Sequence, residues 1–295
     1  MTAYAAFPWP APPGTSVSPR WNGRSFDVGG ETRRILAYAT DSSHWSDNLT
    51  SLHETEAGRD HPIDQASRRL AVCSMRKLAV RAPVILDVGS SSGFVLEDLR
   101  RALPQAGLIG ADYLRTPLEG LAKRMPEMPV LQFDLRKCPL PDACVDGVTC
   151  LNVLEHIDDH GAALAEIHRI LKPGGLAHVE VPMGPALYDI YDEYLMHHRR
   201  YRLDELLTLA RQTGFRVERS THLGFMVFPA FWLVKRLNRK KLGRPAAEKA
   251  RLVSAQIRAT RSSPLFSALI KFETAVGRYL SYPWGIRCHC LLLKP

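Results

Sequence analysis

The fold is decided by the stretch Val84-Ile85-Leu86-Asp87-Val88-Gly89-Ser90-Ser91-Ser92-Gly93-Phe94. Its first five residues are apolar except for Asp87, and they predict a buried strand. The small residues 89–93 predict a tight turn, because glycine adopts backbone angles that other residues avoid. A helical pattern, Phe94–Arg101, follows directly. Parallel α/β sheets bind ligands at the carboxyl ends of their strands, so the stretch predicts such a sheet with a ligand site at the turn.

The spacing of the small residues separates two kinds of nucleotide-binding turn. The dinucleotide fingerprint needs Gly-x-Gly-x-x-Gly, whereas this chain has an acid-x-Gly-x-Ser-x-Gly order in Asp87, Gly89, Ser91 and Gly93. That order resembles the first motif of class I S-adenosylmethionine-dependent methyltransferases, acid-x-Gly-x-Gly-x-Gly, with serine at the middle position. Taken alone, the motif also fits a turn that merely connects a strand to a helix, since short motifs carry false positives.

Four more apolar runs are ordered like the later strands of that family. They cover Leu108–Tyr113, Val130–Leu135, Cys144–Cys150 and Leu176–Pro182. Before the last run, Leu171-Lys172-Pro173-Gly174-Gly175 predicts the end of a helix and resembles the family's Leu-x-Pro-Gly-Gly turn. The resemblance is close over residues 85–215, and it implies S-adenosyl-L-methionine as the cofactor.

The resemblance also implies a set of cofactor-binding residues. They are Asp87, Gly89, Ser91, Gly93, Asp112, Asp134, Leu135 and Asn152. Asp112 ends the second strand 23 positions after Gly89, where a carboxylate can accept both hydroxyls of a ribose. Asp134 and its neighbour Leu135 follow the third strand, where the family contacts adenine. Alternatively, each of these acids is an exposed loop carboxylate.

The candidate catalytic residues are His197, His156, Arg199 and Tyr201. His156 follows the fourth strand, and the other three form a His-x-Arg-x-Tyr segment before a predicted helix at 204–214. Imidazole suits a general base near neutral pH. For His156 a packing role beneath the cofactor is the alternative. Arg199 could pair with an anionic acceptor or hold its own loop to a nearby acid.

The remaining elements complete the predicted fold. A sixth strand begins at Phe215, and the last strand lies in 285–295. By the resemblance, the last strand is antiparallel and inserts between strands five and six. The sequence thus predicts an α/β fold with a seven-stranded, mostly parallel, doubly wound sheet of the Rossmann-like methyltransferase type. Residues 223–284 are too many for a plain connection and predict a helical insertion.

The chain is divided into an N-terminal arm at 1–60 and a methyltransferase domain at 61–295. The arm is rich in proline, lacks the apolar core of a signal peptide, and has a candidate hairpin at 26–38 with Gly29-Gly30 as its turn. Helical spacing within 53–81 predicts a helix that, in the related enzymes, covers the cofactor. Its candidate lid residues are His61, Asp64 and Arg68, which alternatively form a solvated helix face.

The insertion contains an apolar run at 224–234, followed by a basic segment that ends at Arg244. The apolar run is too short to span a bilayer. Such a pairing suits a segment that lies in a membrane interface or holds an acidic amphiphile. The alternative is a core helix with a solvated basic end. Peripheral contact through 224–244 at the inner face of a membrane would fit a lipid-linked acceptor.

Composition and charge limit the possible partners and the cellular location of the chain. Hydrophobic residues make up 45% and charged residues 23% of the chain, as in ordinary globular proteins. The net charge of +9 favours an anionic partner, but no nucleic-acid-binding module is present. The six cysteines, without a secretory signal, predict reduced thiols in the cytoplasm. Cys288 and Cys290 alternate with His289, so no metal site is predicted there.

These observations predict an S-adenosylmethionine-dependent methyltransferase (EC 2.1.1.-). It would move a methyl group by in-line displacement to an oxygen or nitrogen atom, in preference to carbon, of a small-molecule or lipid-linked acceptor. The alternative function is a catalytically inactive protein of the same fold that binds a membrane or a protein. A nicotinamide-dependent oxidoreductase is disfavoured by the glycine spacing.

Overall fold

The computed structural model describes Tyr4 and residues 6–39 and 58–295; parts of the predicted arm and the start of the segment 53–81 lie outside the described residues. The strands are β1 (Arg20–Trp21), β2 (Phe26–Val28), β3 (Glu31–Arg33), β4 (Leu36–Ala37), β5 (Val84–Val88), β6 (Gly107–Asp112), β7 (Val130–Gln132), β8 (Val145–Leu151), β9 (Leu171–Pro182), β10 (Arg216–Leu223) and β11 (Arg287–Leu293). The helices are α1 (Pro62–Met75), α2 (Phe94–Ala102), α3 (Arg115–Arg124), α4 (His160–Ile170), α5 (Ile190–Tyr194), α6 (Leu203–Gln212), α7 (Phe228–Arg239), α8 (Ala246–Arg261) and α9 (Pro264–Val276).

One large mixed sheet carries the fold, in the order β10-β11-β9-β8-β5-β6-β7-β4. Strand β11 runs antiparallel between β9 and β10, and the ladders from β9 to β4 are parallel. The predicted fold class, with its antiparallel last strand, is therefore confirmed. The short edge strand β4 adds an eighth member that the sequence did not predict, with Leu36 opposite Leu131.

The two faces of the sheet are covered by different helices, which explains why β5 is buried along its whole length. Because side chains alternate across a strand, Leu86 enters a core that contains residues of α4 and α6. Its neighbour Ile85 enters a second core that contains residues of α2 and α3. The carboxyl end of β5, where the glycine turn begins, is therefore held between two packed layers.

The N-terminal arm packs on the first of these cores. Strands β2 and β3 form the predicted hairpin, with Phe26 opposite Arg33. Phe26 is fully buried and meets Trp9 edge-on, with ring centroids 5.0 Å apart. The Tyr4 hydroxyl donates a hydrogen bond to the Leu108 carbonyl and accepts one from the Leu108 amide. The arm is thereby bonded to β6.

Two strand boundaries differ from the prediction. Strand β9 begins at Leu171, because a bulge lets both Leu171 and Leu176 pair with β8, so the Pro-Gly-Gly segment lies inside a strand instead of in a turn. Strand β7 ends at Gln132 because a 3₁₀ turn follows, in which the Asp134 side chain accepts a hydrogen bond from the Arg136 amide.

Helices α7, α8 and α9 occupy the segment between β10 and β11. They pack onto α1 and α5, partly through Ile63, Ile257 and Ile270. Among the described residues, no helix has the length and apolar character needed to cross a membrane. Residues of the insertion and of the ends of β5 and β8 line one cleft, so the insertion lies beside the carboxyl ends of these strands.

Candidate active site

A single cleft of about 1040 Å³ extends from the glycine turn to the helices of the insertion. Typical small-molecule sites measure about 300–1,000 Å³, so this cleft has room for a cofactor together with a second ligand. Its walls come from the strand ends of β5, β6 and β8, from the loop after α5, and from α1, α7, α8 and α9.

The turn after β5 requires glycine at two of its positions. Gly89 and Gly93 have φ angles of +69° and +71°. A Cβ atom at Gly89 would stand 2.3 Å from a methyl carbon of Val153, and one at Gly93 would stand 2.3 Å from a methyl carbon of Leu121. Ser91 adopts a φ of +43° between them. Gly89 and Ser91 line the cleft, and at Gly89 no side chain covers the backbone.

Asp112 fixes this turn to the end of β6. One carboxylate oxygen accepts a hydrogen bond of 3.0 Å from the Ser91 amide, and the other accepts one of 3.0 Å from the Leu114 amide. The carboxylate also lines the cleft. A carboxylate offers about four acceptor positions, so Asp112 can anchor the turn and still bind hydroxyl groups of a ligand.

Asp134 and Leu135 lie at the same end of the cleft. Burial alone would raise the pKa of Asp134, but hydrogen bonds and charge from Arg136 outweigh it and lower that pKa. The guanidinium of Arg136 lies 2.7 Å from the carboxylate. Asp134 is therefore a fixed, ionised acceptor beside the buried side chain of Leu135.

Two predicted cofactor residues do not reach the cleft. Gly93 and Asp87 are absent from its lining, and Asp87 is buried beneath the turn, where its carboxylate accepts a 2.6 Å hydrogen bond from the Thr149 hydroxyl. Burial raises the pKa of Asp87 to about 7, and the charge of Asp112 adds to the effect. Gly93 and Asp87 therefore shape the turn and do not line the cleft.

Asn152 joins the strand end of β8 to the covering helix α1. It lines the cleft, has a φ of +52°, and donates a 3.2 Å hydrogen bond to Glu180. Arg287 contacts the same carboxylate and pairs with Asp64 of α1 at 2.7 Å. Of the lid candidates, His61 and Asp64 line the cleft, whereas Arg68 pairs with Asp98 outside it.

The two predicted histidines meet in the middle of the cleft. The rings of His156 and His197 are nearly perpendicular, with centroids 4.7 Å apart, and both line the cavity. His197 is buried, and its Nδ1 lies 2.8 Å from a carboxylate oxygen of Asp192. Burial lowers the pKa of His197, and this effect outweighs the opposing effects of the hydrogen bond to Asp192 and of its charge.

Glu155, beside His156, is a site residue that the sequence reasoning missed. Its side chain is fully buried, yet it belongs to the cleft lining. Neither carboxylate oxygen has a hydrogen-bond partner among the residues that the structure describes. Burial raises the pKa of Glu155 to about 8. An acid shortly after an apolar strand and directly before a candidate histidine was the available signal.

Arg199 and Tyr201, both predicted to be catalytic, do not line the cleft. Arg199 donates hydrogen bonds of 2.8 Å to the carbonyls of Ile157 and Asp158, and so holds the loop after β8. Tyr201 is buried, with its hydroxyl 2.7 Å from Nδ1 of His160. Their polar groups serve the scaffold, so neither geometry supports contact with an acceptor.

A buried ionic cluster supports His197 from behind, and the sequence reasoning did not identify it. Lys235 of α7 pairs with Asp189 at 2.5 Å and with Asp192 at 3.0 Å, and Arg200 pairs with Asp192 at 2.7 Å. All four side chains are buried. Burial would raise the pKa of Asp192, but the bonds and charges from its partners lower it. The first basic residue after the apolar run was the visible signal.

The outer part of the cleft is lined mainly by apolar side chains, with His61, Gln256 and Thr260 among them. Its lining there includes Ile63, Val227, Phe231, Ile257, Phe266 and Leu269. This chamber lies between α1 and the helices of the insertion, and the polar groups of Glu155, His156 and His197 separate it from the end of the cleft that holds Asp112. The cleft is therefore polar at one end and apolar at the other.

A family model described as "Methyltransferase domain" matches residues 86–179, which run from β5 into β9. A probable S-adenosylmethionine-dependent methyltransferase of Mycolicibacterium smegmatis is 31% identical over 139 residues, covering 45% of this chain and 52% of that protein. A ubiquinone/menaquinone biosynthesis C-methyltransferase of Desulfotalea psychrophila is 32% identical over 140 residues, covering 47% of this chain and 56% of that protein. The chain thus spans about half the length of the curated relatives that it matches.

Solved structures resemble the chain over most of its length. A putative sarcosine dimethylglycine methyltransferase from Galdieria sulphuraria has a TM-score of 0.57 at 16% identity, covering 84% of this chain and 98% of that one. A putative methyltransferase in complex with the Haloferax volcanii Trm112 activator has a TM-score of 0.56 at 19% identity, with 85% and 99% covered. At these identities the likeness shows the shared fold.

Proposed function

Because this chain carries a class I S-adenosylmethionine-dependent methyltransferase domain, as its motifs predicted, we propose that it transfers a methyl group to an amphiphilic, lipid-linked acceptor. The family's cofactor is S-adenosyl-L-methionine, in agreement with the sequence prediction. The receiving atom in this proposal is an oxygen or a nitrogen. The cleft, polar at one end and apolar at the other, is the observation that carries the proposal.

The cofactor occupies the polar end in this proposal. The backbone of Gly89 and Ser91 takes the methionine part, Asp112 accepts hydrogen bonds from the ribose, and Asp134 with Leu135 meets the adenine. The positions of these groups around the turn support the assignment. Asn152 completes the site beside the sulfonium. The methyl group then points along the cleft toward the two histidines.

The acceptor enters from the apolar chamber with its polar group leading. Its reacting atom lies beside His156 and His197, and its apolar part packs on Phe231 and its neighbours. A sulfonium methyl is already activated, so the protein's main contribution is alignment of the acceptor in line with the carbon–sulfur bond. The buried ionic cluster behind His197 holds this part of the cleft rigid.

The surface of α7 supports delivery of such an acceptor from a membrane. Trp232, Leu233 and Leu237 are 41%, 54% and 50% exposed. Basic side chains accompany them on the same helix and directly after it, at Arg236, Arg239, Lys240 and Lys241. Exposed apolar groups next to cations favour an anionic lipid interface. We propose that 224–244 makes this peripheral contact.

Calorimetry with S-adenosylmethionine and S-adenosylhomocysteine tests the cofactor part. We expect one-to-one binding to the purified protein. Asp112→Ala should weaken the binding by about 1–3 kcal/mol, or about 5- to 150-fold. Glu119→Ala, at an exposed position on α3, is the matched control and should bind as the unchanged protein does. Unchanged affinity in a folded Asp112→Ala variant contradicts the ribose assignment.

Transfer of a labelled methyl group into fractionated cell extracts tests the acceptor part. We expect label in the lipid fraction, and its appearance only in water-soluble products contradicts a lipid-linked acceptor. If neither cofactor ligand binds, no label is transferred, and vesicles still sediment with the protein, the chain is a membrane-binding module of this fold.

A further inference from the structure

The buried carboxylate of Glu155 lacks the compensation that such a group requires. Burial of an ionised carboxylate is costly unless it is paired or coordinates a metal. Both of its oxygens are without hydrogen-bond partners among the described residues, although the residue lines an open cleft. The group must therefore hold a proton or face a cation that no directly paired side chain of the described residues provides.

Two imidazole groups lie at the same point of the cleft. One ligand atom from each of Glu155, His156 and His197 falls within 4.8 Å of the others. Metal–nitrogen bonds of about 2.0–2.1 Å place tetrahedral ligand atoms about 3.4 Å apart, so small side-chain rotations bring the three together. Two histidines and one carboxylate are a common donor set for first-row divalent metals, in sites that keep open positions.

The hydrogen bonding of His197 is compatible with a metal ligand. Asp192 offers an ionised carboxylate, which can only accept hydrogen bonds, so His197 Nδ1 donates to it at 2.8 Å. The Nε2 lone pair of His197 is then left for a ligand. A carboxylate that orients a histidine through its second nitrogen is the usual arrangement behind metal-bound imidazole. Arg200, at 2.7 Å from Asp192, fixes that carboxylate in turn.

The carboxylates around the site outnumber the cationic side chains, which favours the binding of a divalent cation. Lys235 and Arg200 are matched by Asp189 and Asp192. Arg287 faces two carboxylates, those of Asp64 and Glu180, and Glu155 adds a further one. Five carboxylates, of which those of Asp64 and Glu155 line the cleft, thus face three cationic side chains.

We propose that Glu155, His156 and His197 bind a first-row divalent metal ion of the Zn²⁺ or Co²⁺ type, which coordinates an oxygen of the methyl acceptor. The sequence prediction included no metal, and the role of the ion in transfer rests on the proposed function. Coordination favours loss of the acceptor's O–H proton to water. The oxygen then forms the bond to the methyl carbon, and the carbon–sulfur bond breaks with its electron pair on sulfur. The acceptor class is therefore a hydroxyl compound.

Titration of the chelator-treated full chain with CoCl₂, followed by visible absorption and by ZnCl₂ competition, tests the site without any turnover. We expect one equivalent to bind. Glu155→Gln and His197→Gln should each weaken binding by about 100-fold or more, since changes merely behind a metal ligand already cost about 10- to 100-fold. His198→Gln is the matched control, because His198 is exposed beside His197 and also lines the cleft, and it should leave the affinity unchanged.

Folding of the variants is checked by thermal unfolding. Glu155→Gln should not lower the melting temperature, because it replaces an unpaired buried carboxylate by a neutral group of the same shape. Absence of stoichiometric metal binding, or equal affinity in the Glu155→Gln variant, overturns the metal site. Cofactor binding that persists in that case leaves the proposed function standing. Metal binding without methyl transfer to any extract contradicts the proposed function and leaves the site standing.

Discussion

Replacement of Lys235 by methionine tests whether the buried ionic cluster holds α7 against the loop that carries His197. Lys235 is 3% exposed, and its two partners, Asp189 and Asp192, are fully buried. The substitution removes one positive charge and leaves two neighbouring carboxylates with Arg200 as their remaining cationic partner in the cluster. Removal of one member of a buried ion pair costs about 3–5 kcal/mol, so we expect the free energy of unfolding to fall by that amount.

The loss of stability in Lys235→Met should depend on pH, because Asp189 loses its cationic partner. Burial already raises the pKa of Asp189, and the charge of Lys235 opposes that effect. Without Lys235 the pKa of Asp189 rises further, so the carboxylate takes up a proton as the pH falls. The deficit should therefore be larger at pH 8 than at pH 5. Urea-induced unfolding at both pH values, followed by circular dichroism, measures it.

A second substitution separates charge from packing. Asp189→Asn in the Lys235→Met background removes the unpaired charge, and asparagine can still accept the hydrogen bond from the Tyr191 amide that begins α5. We expect the double variant to regain at least half of the lost stability. Arg236→Met, on the exposed side of α7, is the control and should cost less than about 1 kcal/mol. A Lys235→Met deficit below about 1 kcal/mol, or one that Asp189→Asn deepens, refutes the electrostatic explanation.

Three further predictions concern the turn, the sheet and the surface. Gly89→Ala should lower the free energy of unfolding by about 1–3 kcal/mol more than Gly174→Ala does. Both glycines have positive φ, but a Cβ at Gly174 meets nothing within 4 Å. Equal losses in urea unfolding would argue against the contact with Val153. Asp87 has a pKa raised to about 7 by burial, above its unfolded value, so it stabilises the fold below about pH 4 and loses that contribution as the pH rises to 7. Asp87→Asn should therefore be up to about 4 kcal/mol more stable than the unchanged chain at pH 8 and nearly equal at pH 4, and a gap that is independent of pH in the same assay contradicts this. Trp232→Ser should weaken sedimentation with anionic vesicles about fivefold, from the loss of about 1 kcal/mol of apolar burial, and identical binding would place the membrane contact elsewhere.

The central fold could be predicted because its signals are local. The residues of β5 and the turn after it dictate a strand, three positive φ angles and the start of a helix within eleven consecutive positions. The order of the later strands followed from family resemblance and from the acids that end them. Strand β4 was missed because it is two residues long, and its pairing with β7 depends on a contact distant in sequence. No periodic pattern marks so short an edge strand.

The end of the cleft at Gly89 and Asp112 was more predictable than the end at His156 and His197, for a similar reason. Gly89, Asp112 and Asp134 belong to motifs with fixed spacing, and all three line the cleft. The end at His156 and His197 is assembled from distant segments. Lys235 meets Asp189 across 46 positions, and nothing in the sequence near either residue identifies the other. The His-x-Arg-x-Tyr pattern pointed to Arg199, whereas its neighbour Arg200 lines the cleft, because only tertiary contacts determine which side of a loop faces a cavity.

Strand β4 also bears on the solubility of the chain. Without Leu36 and Ala37, β7 would present a row of unpaired backbone amides and carbonyls at the outer edge of the sheet, next to the buried side chain of Leu131. Open edges of this kind recruit strands from other chains and lead to aggregation. The N-terminal arm thus covers this edge and prevents association with other chains. Removal of the arm together with β4 should yield a protein that retains the cleft yet precipitates during purification.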